Sequence, residues 1–235
     1  MNSTDAARQL RRAACVMAGV FGLCLPALAQ DIPGYPASID AYDHREVALL
    51  PPYCMYTQMF RARVPGGSDP AQVERWRAVM GPTFESMHHY CWGLMKTNRA
   101  LLLARGQSRA FYLTDAIGEF DYVLQRAPDD FVLLPEILTK KGSNLVLLGR
   151  GATAVLLFKR AVELRPDYWP AYADLSDYYR QANEIALARE TLQEGLSRSP
   201  DASGLKRRLA ELDGAAKKGR TSSAAAPEQR SSQQR

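Results

Sequence analysis

The chain is poor in the residues that build reactive centres. It holds three histidines and four cysteines in 235 residues, and none of them keeps a ligand spacing. There is no C-x2-C, no H-x3-H and no H-E-x-x-H, so the usual local zinc-ligand sets are excluded. Without C-x-x-C-H, a covalently attached c-type haem is excluded as well. G-x-S-x-G, a P-loop and a Rossmann glycine pattern after a strand are all missing. Gly149 and Gly151 fall in a turn between two helices, where glycine serves backbone geometry. No catalytic residue and no cofactor is expected.

A basic body is lacking too. The formal net charge is +5, but the two ends carry it. Residues 1–29 hold Arg8, Arg11 and Arg12 against Asp5. The stretch from Gly214 holds Lys217, Lys218, Arg220, Arg230 and Arg235 against Glu228, which leaves residues 30–213 at a net −1. A nucleic-acid-binding surface would need clustered Lys and Arg on the folded face, so none is expected.

The one long apolar run is AACVMAGVFGLCLPALA, which follows Arg8, Arg11 and Arg12 and ends in Ala27-Leu28-Ala29. A basic start, a short apolar stretch and an A-x-A end predict a cleavable secretory signal peptide over 1–29. The signal type points to a bacterial periplasm. Shortness and Pro26 argue against a membrane span. Leu23 is too large for a lipobox before Cys24, and Ala13-Ala14-Cys15 lacks the bulky residues that follow a twin-arginine pair. Cys15 and Cys24 would leave with the signal, and Cys54 and Cys91 would remain. An even pair in an oxidising compartment reads as a disulfide. The alternative is a metal- or redox-active site. His88 and Cys91, three apart on a helix, would join Cys54 and either His44 or His89. His88 and Cys91 could also form a nucleophile–base pair, and the bland reading of His88 and His89 is packing at a helix seam.

What the chain does have is a repeat. Ala154, Phe158, Ala161 and Pro166 recur 34 residues later as Ala188, Leu192, Gly195 and Pro200. A looser copy lies 38 residues upstream, with Ala116, Phe120, Val123 and Pro128, and the added residues are expected in Asp129–Leu134. Small residues let two helices approach, the large one fills the gap, and proline ends the second helix. A fixed period of this kind predicts stacked helical hairpins, and three units are about the minimum for a stable stack.

Residues 30–82 are read as an N-terminal helical segment. An extended entry precedes a helix over YCMYTQMFRAR after Pro51-Pro52, and a second helix runs from Pro70 to Met80 with Ser68 or Asp69 as its cap. Residues 83–213 are read as three repeats with a capping helix over 201–213. The first repeat consists of a long helix from Thr83 to about Arg105 and a second from about Arg109 to Arg126. Residues 214–235 contain no aliphatic side chain larger than alanine and no aromatic, which predicts a disordered basic tail. Such a tail could at most touch anionic phospholipid weakly.

The repeat resembles the tetratricopeptide repeat (TPR) family. Its first-helix pattern is matched by Tyr172, Leu175, Ser176 and Tyr179, and by Leu138, Gly142 and Leu145, with Lys141 where leucine is usual. The resemblance implies an all-α, right-handed helical-repeat solenoid with extra N-terminal helices. It also implies a concave face lined by the first helix of each unit, which binds a peptide or partner protein. Mapped by position, that face would present Asn98, Leu101, Leu102 and Arg105, then Glu136, Thr139, Lys140 and Ser143, then Ala173, Asp174, Asp177 and Arg180. Asn98, Arg105, Lys140, Ser143, Asp177 and Arg180 are the candidate partner-binding residues. Lys140 and Asn144 suggest the family's clamp for a terminal carboxylate, but its second half is absent. The expected role is a scaffold for a partner of the cell envelope.

Overall fold

The computed structural model describes residues 43–224, with side chains described to residue 215. The expected signal segment and the last part of the tail lie outside the described residues. Ten α-helices follow one another with no strand between them among these residues. They are α1 His44–Val47, α2 Gln58–Arg61, α3 Pro70–Met80, α4 Met87–Leu102, α5 Gly106–Leu124, α6 Leu134–Leu147, α7 Gly151–Leu164, α8 Trp169–Gln181, α9 Ile185–Arg198 and α10 Ser203–Ala224.

The repeat spacing becomes three antiparallel hairpins, α4–α5, α6–α7 and α8–α9, with α10 packed on the last. The small and large residues of the period meet the core together. Ala116, Phe120 and Val123 on α5 are fully buried, and so are Ala154, Phe158 and Ala161 on α7 and Ala188 and Leu192 on α9. Across each seam the first helix supplies a small residue. A Cβ on Gly93 would lie 2.3 Å from Phe120 Cε1, and one on Gly142 would lie 2.6 Å from Phe158 Cε1. In the third hairpin the place belongs to Ser176, whose hydroxyl donates to the Ala188 carbonyl at 3.0 Å.

The turns repeat as faithfully as the seams. Gly149 and Asn183 occupy equivalent positions and both take a left-handed backbone, with φ of 75° and 63°. This lets Arg150 N–H donate to Leu145 C=O and Glu184 N–H donate to Tyr179 C=O, each at 2.8 Å. These are the end-of-helix bonds that satisfy carbonyls left open by the last turn. Asparagine tolerates this conformation better than other non-glycine residues, because its side chain is short and polar.

The first hairpin is longer than the other two. Gly93 precedes Phe120 by 27 residues, whereas Gly142 precedes Phe158, and Ser176 precedes Leu192, by 16. The difference corresponds to about three helical turns, shared between the end of α4 and the start of α5. The linker after it is also long. Residues 125–133 separate α5 from α6, where 165–168 suffice between α7 and α8. Phe131 in that linker is buried, so the insertion adds core.

Several boundaries differ from expectation. The stretch after Pro51 is a 3-10 turn over Pro52–Tyr56 followed by the single turn α2. Proline favours a helix start but says nothing about its length, and Thr57 breaks this one with an extended backbone (ψ 159°). Residues Gly81–Ser86 form a second 3-10 turn, so α4 begins at Met87 rather than near Thr83. Helix α5 starts at Gly106, ahead of Arg109. Helix α10 continues past Asp213 to Ala224, so residues 214–224, expected to lack structure, are helical. The alanines and lysines there carry high intrinsic helix propensity, and the helix they extend is already nucleated.

The segment before α3 straps onto α4 at two places. Cys54 is bonded to Cys91, with both residues wholly buried. Eight residues along α4, Arg99 Nε and Nη2 donate to the two oxygens of Glu46 at 2.5 and 2.8 Å. Arg99 is 1% exposed and Glu46 7%. Asp43 caps α1 by accepting from Arg45 N–H at 2.8 Å, which sets the short helix that presents Glu46.

Candidate functional site

The first helices of the hairpins pack side by side, α4 on α6, α6 on α8 and α8 on α10. Each second helix packs on first helices to either side of it. The closer mutual approach of the first helices puts them on the inner side of the stack. Their free edges carry a polar row. Ser143 Oγ on α6 donates to Asp174 Oδ2 on α8 at 2.5 Å. One turn on, Asp177 Oδ2 accepts from Arg208 Nε on α10 at 2.9 Å, and its other oxygen lies 3.7 Å from Arg180 Nη2. Lys140 is exposed, and its charge reaches Asp174.

Lys140 and Ser143 precede Asp174 and Asp177 by one repeat length, so the row is the repeat pattern read on its polar side. Burial raises the Asp174 carboxyl above its ordinary pKa, against the opposing pull of the Ser143 hydroxyl and the Lys140 charge. The row can therefore offer cations at its edges and a carboxylate that gains from a further donor.

Four of the six candidate residues meet here: Lys140, Ser143, Asp177 and Arg180. Asn98 and Arg105 do not. Aligning Gly93 with Gly142 places Asn98 level with the last residue of α6 and Arg105 a further two turns on. Arg105 is the residue before α5, and its guanidinium donates to the adjacent Ala104 carbonyl at 3.0 Å. The lengthened hairpin carries it away from the row. Of the neighbouring positions, Thr139 is buried and turns its hydroxyl to the Pro135 carbonyl at 2.8 Å. Glu136 is engaged inward, accepting from Tyr90 OH at 2.6 Å. Burial first, and the Glu136 charge second, raise the pKa of Tyr90 and of the nearby Tyr53 and Tyr168. Arg208 was missed because α10 was read only as a cap; its place one repeat length after Asp174 was the available signal.

The metal alternative does not form. The sulfurs of Cys54 and Cys91 are bonded to each other, which removes both thiolates. His88 turns its Nδ1–H to the Glu85 carbonyl at 3.0 Å. Among the described residues no group of three or more His, Cys, Asp or Glu is placed to hold a metal ion. The same geometry removes a Cys91–His88 nucleophile pair.

His89 belongs to an ion network between α4 and α5. His89 Nδ1 lies 2.5 Å from Glu119 Oε2, and since a carboxylate only accepts, this nitrogen carries the proton. Glu119 also receives Lys96 Nζ at 2.5 Å, and Lys96 reaches Asp115 at 2.7 Å. Burial opposes the Lys96 ammonium, but the two carboxylates outweigh it and raise its pKa. His89 stacks on Tyr122 at 3.6 Å between ring centroids, and the Arg126 guanidinium lies 3.5 Å from the centre of the Tyr122 ring. Every member of the network has a partner within the fold.

The architecture is therefore that of an all-α helical-repeat protein, three hairpins and a cap, with a strap on the first hairpin. Residues 145–212 match the family model of the tetratricopeptide repeat. The match runs from the end of α6 through the first ten residues of α10, which takes in α7, the α8–α9 hairpin, the repeated turn and Asp174, Asp177, Arg180 and Arg208 of the polar row. No curated protein matches the chain.

Proposed function

We propose that this protein is an exported interaction module that binds a peptide or protein partner of the cell envelope along the inner face of α6, α8 and α10. The observation that carries the reading is the polar row of Lys140, Ser143, Asp174, Asp177, Arg180 and Arg208. It runs across α6, α8 and α10, and its α8 and α10 members lie in the residues that match a repeat family whose members generally bind proteins. The protein binds rather than catalyses. Recognition is by hydrogen bonds and ion pairs to an extended segment or a partner helix.

Export is supported by the basic start, apolar run and Ala27-Leu28-Ala29 end of residues 1–29, and by a Cys54–Cys91 bond that suits an oxidising compartment. Affinity capture from a periplasmic extract tests the groove. The intact protein is expected to retain a partner that Lys140→Glu and Arg180→Glu release. Equal recovery of that partner by all three proteins defeats the assignment. N-terminal sequencing of protein from the fractionated periplasm tests export, with a mature chain starting just after Ala29 as the expected result.

A further inference from the structure

The lengthened tip of the first hairpin gathers several large apolar side chains that are exposed. Leu101 and Leu102 close α4 and are 46% and 58% exposed; Phe111, in the second turn of α5, is 60% exposed. Between Met87 and Thr114 there is no aspartate or glutamate at all, while Lys96, Arg99, Arg105 and Arg109 all fall there. Lys96 and Arg99 are committed to Asp115, Glu119 and Glu46. Arg105 and Arg109 are not. Among the described residues neither has a carboxylate partner, and Arg109 Nε is buried without a hydrogen bond. The strap that Glu46 ties to α4 brings Leu49, 60% exposed, one turn beyond that contact.

We propose that this tip is a membrane-surface contact, inserting its leucines and Phe111 into the interface of an anionic phospholipid bilayer while Arg105 and Arg109 meet the headgroup phosphates. Three properties select lipid over a protein partner. The feature projects, because the added turns of α4 and α5 have no counterpart in the other hairpins, so it offers a wedge rather than a groove. Its large apolar side chains stand next to arginines, the pairing that seats a segment at the headgroup boundary. Its charge is of one sign without internal compensation, which matches an anionic surface. No helix among the described residues is long and apolar enough to cross a membrane, so the contact is peripheral.

Vesicle flotation with the purified mature protein, residues 30–235, tests the idea, using phosphatidylglycerol–phosphatidylcholine vesicles beside phosphatidylcholine alone. Binding is expected to the anionic vesicles and to fall with added salt. Arg105→Gln with Arg109→Gln should weaken it roughly twenty-five-fold, at about five-fold per basic residue near the surface. Leu102→Ser with Phe111→Ser should weaken it more than about ten-fold. All four positions avoid the buried core seams, and unchanged helical circular dichroism shows that the variants fold. Lys217→Gln with Lys218→Gln is the comparison for the basic end of the chain. Loss of binding with that variant alone overturns the tip proposal, as does binding that ignores the tip variants or no binding at all. A photocrosslinker at position 111 that captures a protein in native envelopes, and no lipid, overturns it in favour of a protein interface. None of these outcomes depends on the groove variants Lys140→Glu and Arg180→Glu.

Discussion

The first hairpin and the last two are held together in different ways. The seams of α6–α7 and α8–α9 repeat with the sequence: a small residue of the first helix, Gly142 or Ser176, packs against the second at the same place, and the turn between them reuses the same hydrogen bond. The first hairpin has that seam too, at Gly93 and Phe120, but adds long-range polar ties. Arg99 reaches 53 residues back to Glu46, and Cys91 reaches 37 back to Cys54. Lys96 holds Asp115 and Glu119 across to α5. A repeat needs only its neighbour, whereas an end repeat must replace the neighbour it lacks. At the carboxyl end α10 does this with Leu205 and Leu212; at the amino end a strap, a disulfide and a buried ion pair do it.

The largest expected effect breaks the amino-terminal tie. Glu46→Ala takes the carboxylate away from the buried Arg99 guanidinium, at a cost of about 3–5 kcal/mol. Urea unfolding followed by circular dichroism should show it, and the double variant Glu46→Leu with Arg99→Met should recover most of the loss. If the single variant costs under about 1 kcal/mol, the pair is ornamental and the contrast between the two ends fails.

Next comes the disulfide. Replacing Cys54 and Cys91 by alanine should cost about 4 kcal/mol in the chain-entropy account for this loop. Limited proteolysis should then cut residues 43–80 before the α6–α9 hairpins. Simultaneous digestion of both regions would mean that the strap supports the whole stack.

The seams sharpen the comparison from the other side. Gly93→Ala and Gly142→Ala each drive a methyl against a buried phenylalanine ring, and each should cost about 1–3 kcal/mol. Similar losses at both, measured as urea midpoints, are expected if the first hairpin shares the repeat's packing. A neutral Gly93→Ala would show that the polar ties had taken over there.

The smallest effect is the pH dependence contributed by His88 in the first hairpin. Burial, then the neighbouring His89, lower the His88 pKa below its ordinary value. The folded state thus binds its proton less readily than the unfolded chain. Stability from this group is present above the ordinary histidine pKa and is lost as pH falls through the folded value. Thermal melts between pH 7.5 and 5 should drop by at most about 2 °C more for the intact protein than for His88→Gln. An identical slope in the two proteins rules the group out.

These two modes also decide what could be read from the residues alone. The hairpins α6–α7 and α8–α9 were legible because contact and period coincide: Phe158 and Leu192 fill the same place one repeat apart. Lys140, Ser143, Asp177 and Arg180 fall along one row for the same reason. Asn98 and Arg105 lie off that row because the inserted turns fall inside the first hairpin, where no neighbouring copy marks the register; Gly93 was the missing marker. The Glu46–Arg99 pair was invisible. A glutamate and an arginine far apart in sequence look like two solvated surface residues, and only the fold of the strap buries them together. Helix α10 ran longer than expected because weak local propensity suffices once a helix has docked.

The strap also has a mechanical consequence. It meets α4 at Cys91 and again at Arg99, two turns apart, and a rod fixed at two points can neither swivel nor slide. A pull applied to the chain ahead of Asp43 is met first at the Glu46–Arg99 pair and only afterwards at the covalent bond. The hairpins behind it feel no peeling force while both anchors stand. The amino end thus works as a strain relief, passing tension into one helix and leaving the inner face of α6, α8 and α10 undistorted.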